Sequence, residues 1–399
     1  MNLYQLKTTR TLEQLQADFE FVYKFDNTFV CISRNIVELS KPEHQTTQFI
    51  KTAKKVYFIV QKGGSFENEN PEIQPLINLG RYLFVALDED EHQHLTCHND
   101  VCWQIEELTS FKNVYNLVQP NPARKSSRFQ SFSIDQKRLK AHMESLCQYF
   151  NRFTFNETYF KAADYCESYL KKLGYETQLQ NFDVTSRNEV KPTVNVVAVK
   201  KGTSPNAKNF IICGHLDSIN KDGVELIAPG ADDNATGSTG VLEMAYQLAS
   251  KEHLHNVTFI LFGAEEIGLY GSKYFVSKLT DEDELLGIIN MDMIGRKNGT
   301  EYGVLLEGHE VSRELTTKLS HFAADYTSLD VAISFNPYAS DHIPFIEKGY
   351  PALLTIEGSD SSNKDIHTEY DKLNLINYGL MSEILLANLM CSDYYLNKE

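Results

Sequence analysis

Beyond residue 133, short apolar runs of strand length alternate with longer stretches whose apolar residues recur at helical spacing. Ser133-Ile134-Asp135-Gln136 reads as the cap of a helix running through Leu139, Met143, Leu146 and Phe150. A second helix, from Tyr159 to Leu173, stops at Gly174. Strands are expected over 194–199, 210–213, 257–262, 287–291, 304–306, 331–335 and 352–356, with helices over 236–250, 311–326 and 373–395. This alternation predicts an α/β domain whose mixed, mainly parallel central sheet is flanked by helices.

The first 118 residues are patterned differently. Phe19 to Phe29 with Val30-Cys31-Ile32-Ser33, Lys55 to Val60 and Arg81 to Leu87 suggest strands, broken by turn residues at Lys62-Gly63-Gly64-Ser65. A smaller α+β domain is expected there. Gln119 to Arg128 combines two prolines with small and basic residues and reads as a linker. The division is therefore 1–118, a linker over 119–133, and a second domain over 134–399. An exposed basic linker is open to proteolysis, so the first domain is expected to be either a removable propeptide or a permanent accessory domain that restricts substrate.

Composition changes this picture little. The 399 residues are 42% hydrophobic and 23% charged, enough for a sizeable core. A formal net charge of −16 argues against nucleic acid and anionic membrane as partners, and suits cationic ligands and metal ions. No run reaches the roughly 18 apolar residues of a membrane-spanning helix, and Met1 to Lys7 lacks the apolar segment of a secretory signal, which reads as cytoplasmic. Seven cysteines, at 31, 97, 102, 147, 166, 213 and 391, do not resemble a disulfide framework. His92, His94, Cys97, His98 and Cys102 lie close together but match no metal-ligand spacing, so a polar loop is expected.

Chemistry gathers at the strand ends of the second domain. His215 and Asp217 end one apolar run, placing an imidazole where open α/β sheets keep their ligands. Asp232-Asp233-Asn234 precede a helix, Glu265-Glu266 follow Phe262, Asp292 follows Met291, and His367 sits in a loop before the last helix. Two imidazoles and at least three carboxylates on one sheet edge suit a pair of zinc ions with one bridging carboxylate. Neighbours at a strand end point opposite ways unless the chain turns, so one of Glu265 and Glu266 is expected to ligate while the other stays free as a general base.

His215-Leu216-Asp217-Ser218, Gly230-Ala231-Asp232-Asp233-Asn234-Ala235-Thr236-Gly237, the run from Phe262 to Ser272, Asn290-Met291-Asp292-Met293-Ile294-Gly295, Ser340-Asp341-His342 and Ile366-His367-Thr368 resemble, in order, the motifs of the bacterial di-zinc aminopeptidases. That family also includes glutamate carboxypeptidase and glutaminyl cyclase. The resemblance covers about residues 134–399 and leaves out 1–118. It implies two zinc ions bridged by Asp233, with His215 and Asp292 completing one and Glu266 and His367 the other; Asp232 is the alternative bridge. It further implies Glu265 as general base and Asp217 as the partner that fixes the tautomer of His215.

The implied reaction is hydrolysis of the N-terminal peptide bond, Glu265 taking a proton from a zinc-activated water and passing it to the leaving amine. Tyr338 is the candidate oxyanion donor. Ser340, Asp341 and His342 are consecutive and cannot form a catalytic triad, so they are read as scaffold. The expected partners are peptides with a free N-terminus. Cyclase action is disfavoured by Asn234 to Gly237 and Glu265 to Leu269, which look like peptidase versions. Carboxypeptidase action needs a cationic clamp, for which Arg296 is the one arginine near a motif, and a non-catalytic binding relative would have lost ligands that are all filled here. The resemblance also suggests a secreted or periplasmic protein. Oligomeric state is left open.

Overall fold

A computed structural model describes all residues except 40–43, 97–101, 119–131, 187–188, 281 and 399. Most of the segment read as a linker, together with Cys97 and His98, therefore lies outside the described residues. The chain forms two compact units: one of Met1–Leu117 with Ser334–Asn336 and Asp360–Lys364, the other of Val118–Ile333, Pro337–Ser359 and Asp365–Glu399.

The smaller unit contains β1 (Asn2–Thr8), α1 (Leu12–Asp18), β2 (Phe21–Phe25), β3 (Thr28–Ser33), β4 (His44–Lys51), β5 (Lys55–Gln61), α2 (Ser65–Glu69), β6 (Ile77–Leu79), β7 (Tyr82–Leu87), α3 (Glu89–Thr96), β8 (Trp103–Glu106) and β9 (Phe111–Val118). β2 and β3 form a tight hairpin, Phe25 opposite Thr28, because Asp26 adopts the left-handed conformation that such a turn needs. β1 pairs with β3 and β4, while β6, β7, β5 and β8 form a second sheet. Tyr23 joins the two sheets, its ring 5.0 Å from Phe58 and 5.1 Å from Phe84. His92 stacks on Tyr57 at 4.2 Å, a packing role.

In the larger unit the elements follow as α4 (Gln136–Leu146), α5 (Glu157–Lys172), β10 (Glu176–Ser186), β11 (Glu189–Lys200), β12 (Asn209–His215), α6 (Gly237–Ala249), β13 (Asn256–Phe262), α7 (Tyr270–Lys278), β14 (Leu285–Met291), β15 (Gly303–Gly308), α8 (Arg313–Tyr326), β16 (Asp330–Ser334), α9 (Ile343–Glu347), β17 (Ala352–Glu357) and α10 (Tyr378–Leu396). The strand order is β10-β11-β13-β12-β14-β17-β15-β16. The sheet is mixed: β13, β12, β14 and β17 are parallel neighbours, and the flanking β10–β11, β11–β13 and β15–β17 pairs are antiparallel.

The central strands are apolar along their length, as burial on both faces demands; Phe210 to Cys213 and Val257 to Phe262 are buried, Thr258 included. Asp135 caps α4 by accepting from the backbone N–H of Lys137, so that helix opens at Gln136, three residues after Ser133, and it ends at Leu146, short of Phe150. Leucines, methionines and aromatics of α5, α6 and α10 pack on the sheet in one continuous core. Among the described residues no helix is long and apolar enough to cross a membrane, and the six described cysteines are free thiols.

Candidate metal centre

Four parallel strands deliver their C-terminal ends to one edge, where His215, Asp217, Asp233, Glu265, Glu266, Asp292 and His367 lie close together. His215 is the last residue of β12. Its Nε2 lies 3.2 Å from Asp233 Oδ1, 3.3 Å from Asp292 Oδ1 and 3.9 Å from Glu265 Oε2. His367 faces it from the loop after β17, with Nε2 3.2 Å from Asp233 Oδ2 and 2.8 Å from Glu266 Oε2. The two oxygens of Asp233 thus each meet a different imidazole. His215 with Glu265 and Asp292, and His215 with Asp233 and Glu266, form two sets whose ligand atoms lie within 4.8 Å of one another.

Local backbone features produce this convergence. After β13 the chain turns at Ala264, which has φ +57°, so Glu265 and Glu266 both enter the cluster instead of pointing to opposite sides. Asp217 fastens that turn, its two oxygens accepting from the backbone N–H groups of Glu265 at 3.2 Å and Glu266 at 3.3 Å. Its carboxylate is 3.6 Å from His215 Nδ1, whereas its own carbonyl oxygen is nearer, at 3.2 Å. Asp217 therefore links the imidazole to the glutamate turn more than it grips the ring. Ser340 donates to Asp292 Oδ2 at 2.8 Å and accepts from Asn290 at 2.8 Å.

Asp232 and Asp233 part company. Asp233 enters the cluster, while Asp232 Oδ1 accepts from Gly295 N–H at 3.0 Å. Burial, with the Asp233 charge beside it, pushes the Asp232 carboxyl up to about 7.

Several residues around the centre hold its backbone, Asp371 and Arg152 among them without any local sequence signal. Asp371 accepts from the backbone N–H groups of Asp232 (2.9 Å) and Asp233 (3.0 Å). Asn234 bridges Met291 O, Gly237 N and Met293 N. Arg152 is fully buried and donates to Leu216 O (2.7 Å), Pro229 O (2.5 Å) and Gly230 O (3.0 Å), tying the chain after His215 to the turn before Asp233. Tyr338 is buried, and its backbone N–H donates to Glu307 Oε1 at 2.9 Å.

The electrostatics are those of a cation site. Like charges about 4 Å apart repel by about 4 kcal/mol at an effective dielectric of 20, and four buried carboxylates crowd around His215. Burial alone would push that imidazole down, yet Glu265, Asp292, Asp217 and Asp233 together hold it well above its ordinary value. Burial likewise raises Glu266. Two donors on one tetrahedral zinc, each at about 2.0–2.1 Å, stand about 3.3 Å apart; the histidine contacts to Asp233 and Asp292 match that separation, and the mixed imidazole and carboxylate set is one zinc accepts. The residues present fit a divalent metal centre.

A mixed, helix-flanked sheet with such a cluster at its strand ends defines an α/β domain with a candidate metal centre. Residues 195–391 match the model of peptidase family M28. A probable leucine aminopeptidase of Trichophyton verrucosum is 27% identical over 261 residues, 63% of this chain and 70% of that protein. The structure of BSAP, a zinc aminopeptidase from Bacillus subtilis, superposes with a TM-score of 0.59 at 16% identity, covering 67% of this chain and 96% of that one. LapB from Legionella pneumophila gives a TM-score of 0.61 at 21% identity over 86% of this chain and 99% of that one, a larger share of this chain than the larger unit comprises. The likeness in fold to LapB thus extends into the smaller unit.

Proposed function

We propose that this chain is a zinc-dependent aminopeptidase that removes N-terminal residues from peptides. The observation that carries the reading is the convergence of His215, Asp233, Glu265, Glu266, Asp292 and His367, from five separate segments, into one buried cluster. Names of relatives, a leucine aminopeptidase and a zinc aminopeptidase among them, support it.

Asp233, with one oxygen toward each histidine, would be shared between two zinc positions, with His215 and Asp292 holding one and Glu266 and His367 the other. Bound zinc would polarise the scissile carbonyl and make water acidic enough to be deprotonated near neutral pH. Glu265 stands off at 3.9 Å from His215 Nε2, farther than the about 3.3 Å between donors sharing an ion, and is the general base that moves the water's proton to the leaving amine. Asp217 orients His215 and the Glu265–Glu266 turn together. Tyr338 is the candidate oxyanion donor, its loop held by Glu307.

The excess of carboxylates favours a substrate presenting a free amine. A substrate carboxylate would need a cation, and the guanidinium of Arg296, the arginine nearest a motif, is already engaged by Asp365 at 2.7 Å. A panel of aminoacyl p-nitroanilides with parallel metal analysis tests the proposal: release of p-nitroaniline that stops on chelation and returns with zinc is expected, and cyclisation of N-terminal glutamine without peptide hydrolysis would refute it.

A further inference from the structure

Asp360–Lys364, in the loop that carries His367, and Ser334–Asn336, just before Tyr338, belong to the compact unit formed by Met1–Leu117. At the centre of the first contact is an ion pair: Arg81 Nη1 donates to Asp360 Oδ2 at 2.9 Å, and the two side chains are 4% and 2% exposed. The Gly63 backbone N–H donates to the same oxygen at 3.3 Å.

Backbone approach is equally close. A Cβ on Gly64, at φ +67°, would stand 2.8 Å from Ser361 O, and one on Gly80, at φ +73°, 2.7 Å from Ser361 Oγ. Only glycine tolerates both the left-handed backbone and that proximity. On the second loop, Ser334 Oγ donates to Val114 O at 2.8 Å, and Asn336 Nδ2 donates to Asn113 O at 2.8 Å and Val114 O at 3.0 Å.

The chain between Glu357 and the 373–375 turn has little regular structure beyond the single turn Asp360–Ser362, and His367 is itself at φ +57°. A histidine in that conformation persists only where its surroundings over-determine it. One anchor lies after it: Asp371 accepts from the backbone of Asp232 and Asp233. Asp360 lies before it. Along the chain His367 thus lies between two buried carboxylate anchors, Asp360 and Asp371.

We propose that the smaller unit is a permanent part of the enzyme that positions His367, and with it the zinc held by Glu266 and His367, through the Arg81–Asp360 pair. Arg81 and Asp360 are positioning residues, since they act through the loop and not on substrate. This rests on the di-zinc reading above and opposes the alternative that residues 1–118 are a propeptide to be discarded.

The test is zinc titration of the full chain, with affinities of both ions resolved, for the unaltered protein and for Asp360→Asn and Arg81→Met. The affinity of one ion is expected to fall about 10- to 100-fold, the range for lost partners behind a metal ligand, while the other stays within about twofold; the unfolding temperature is measured alongside. Two unaltered affinities would overturn the proposal, as would joint loss of both ions in step with the unfolding temperature. Should either variant fail to fold, cleavage at a protease site placed within 125–128 of the zinc-loaded full chain decides: the fragments are expected to co-elute with both ions bound, and a separated larger fragment that keeps two ions and full activity would overturn the proposal. An unaltered chain that binds fewer than two ions would instead refute the di-zinc reading itself.

Discussion

Glu265 and Glu266 are neighbours in sequence with different geometry, one 3.9 Å from His215 Nε2 and the other 2.8 Å from His367 Nε2. Replacing Glu265 with Gln keeps the shape and removes the proposed base. Retained zinc with kcat lowered about 10²- to 10⁴-fold is the expected outcome, measured by metal analysis and single-substrate kinetics; unchanged kcat would strip Glu265 of its role. Away from the centre, His142 is buried on α4 with Nδ1 2.7 Å from Tyr165 Oη. Burial, helped by the Arg138 charge, lowers its pKa to about 4. The folded state thus disfavours the proton that the unfolded chain accepts near pH 6.5, so stability is full above about pH 6.5 and falls as pH drops toward 4. By linkage the loss is roughly 3 kcal/mol at most. Urea unfolding at pH 7 and pH 4.5 should show a smaller acid loss in His142→Gln than in the unaltered chain.

Strand and helix lengths were largely readable because the central elements are apolar throughout. Phe210 to Cys213 and Val257 to Phe262, read from local patterns, lie inside the strands Asn209–His215 and Asn256–Phe262, and α5 stops before Gly174, φ +92°, as its pattern predicts. β10 carries no apolar pattern because Glu176 to Ser186 is mostly polar and, among the described residues, pairs only with β11 at the sheet edge. α7 and α9 are short, and β1 and β4 have their hydrophobicity divided by polar neighbours. What joins elements was less legible still. Arg152 connects the end of α4 and the turns after β12 and before α6 through backbone carbonyls, which have no side-chain signature. Leaving buried carbonyls without their donor costs about 1–3 kcal/mol each, so Arg152→Met should lose roughly 3 kcal/mol or more, with partial recovery in Arg152→Lys. A urea midpoint close to that of the unaltered chain would contradict this account.

For the molecule as a whole, the cluster around His215 concentrates negative charge in a chain already at −16. A ligand that binds only the folded state stabilises it by RT ln(1 + [L]/Kd), about 4 kcal/mol at a thousandfold excess over Kd. The unfolding temperature should therefore rise with free zinc and drop on chelation, in step with activity. A melting temperature indifferent to zinc would count against metal in this centre.

Sequence alone determined the order of the candidate ligands, the strands that end at them and the chemistry they suit, because parallel strands buried on both faces need unbroken apolar runs and polar residues at their ends stand out. Tertiary structure alone decided that Asp233 and not Asp232 faces both imidazoles, that Asp371 holds their backbone, and that Arg81 meets Asp360. Those relations join residues up to 279 positions apart, and nothing in a local pattern records a distance across the fold.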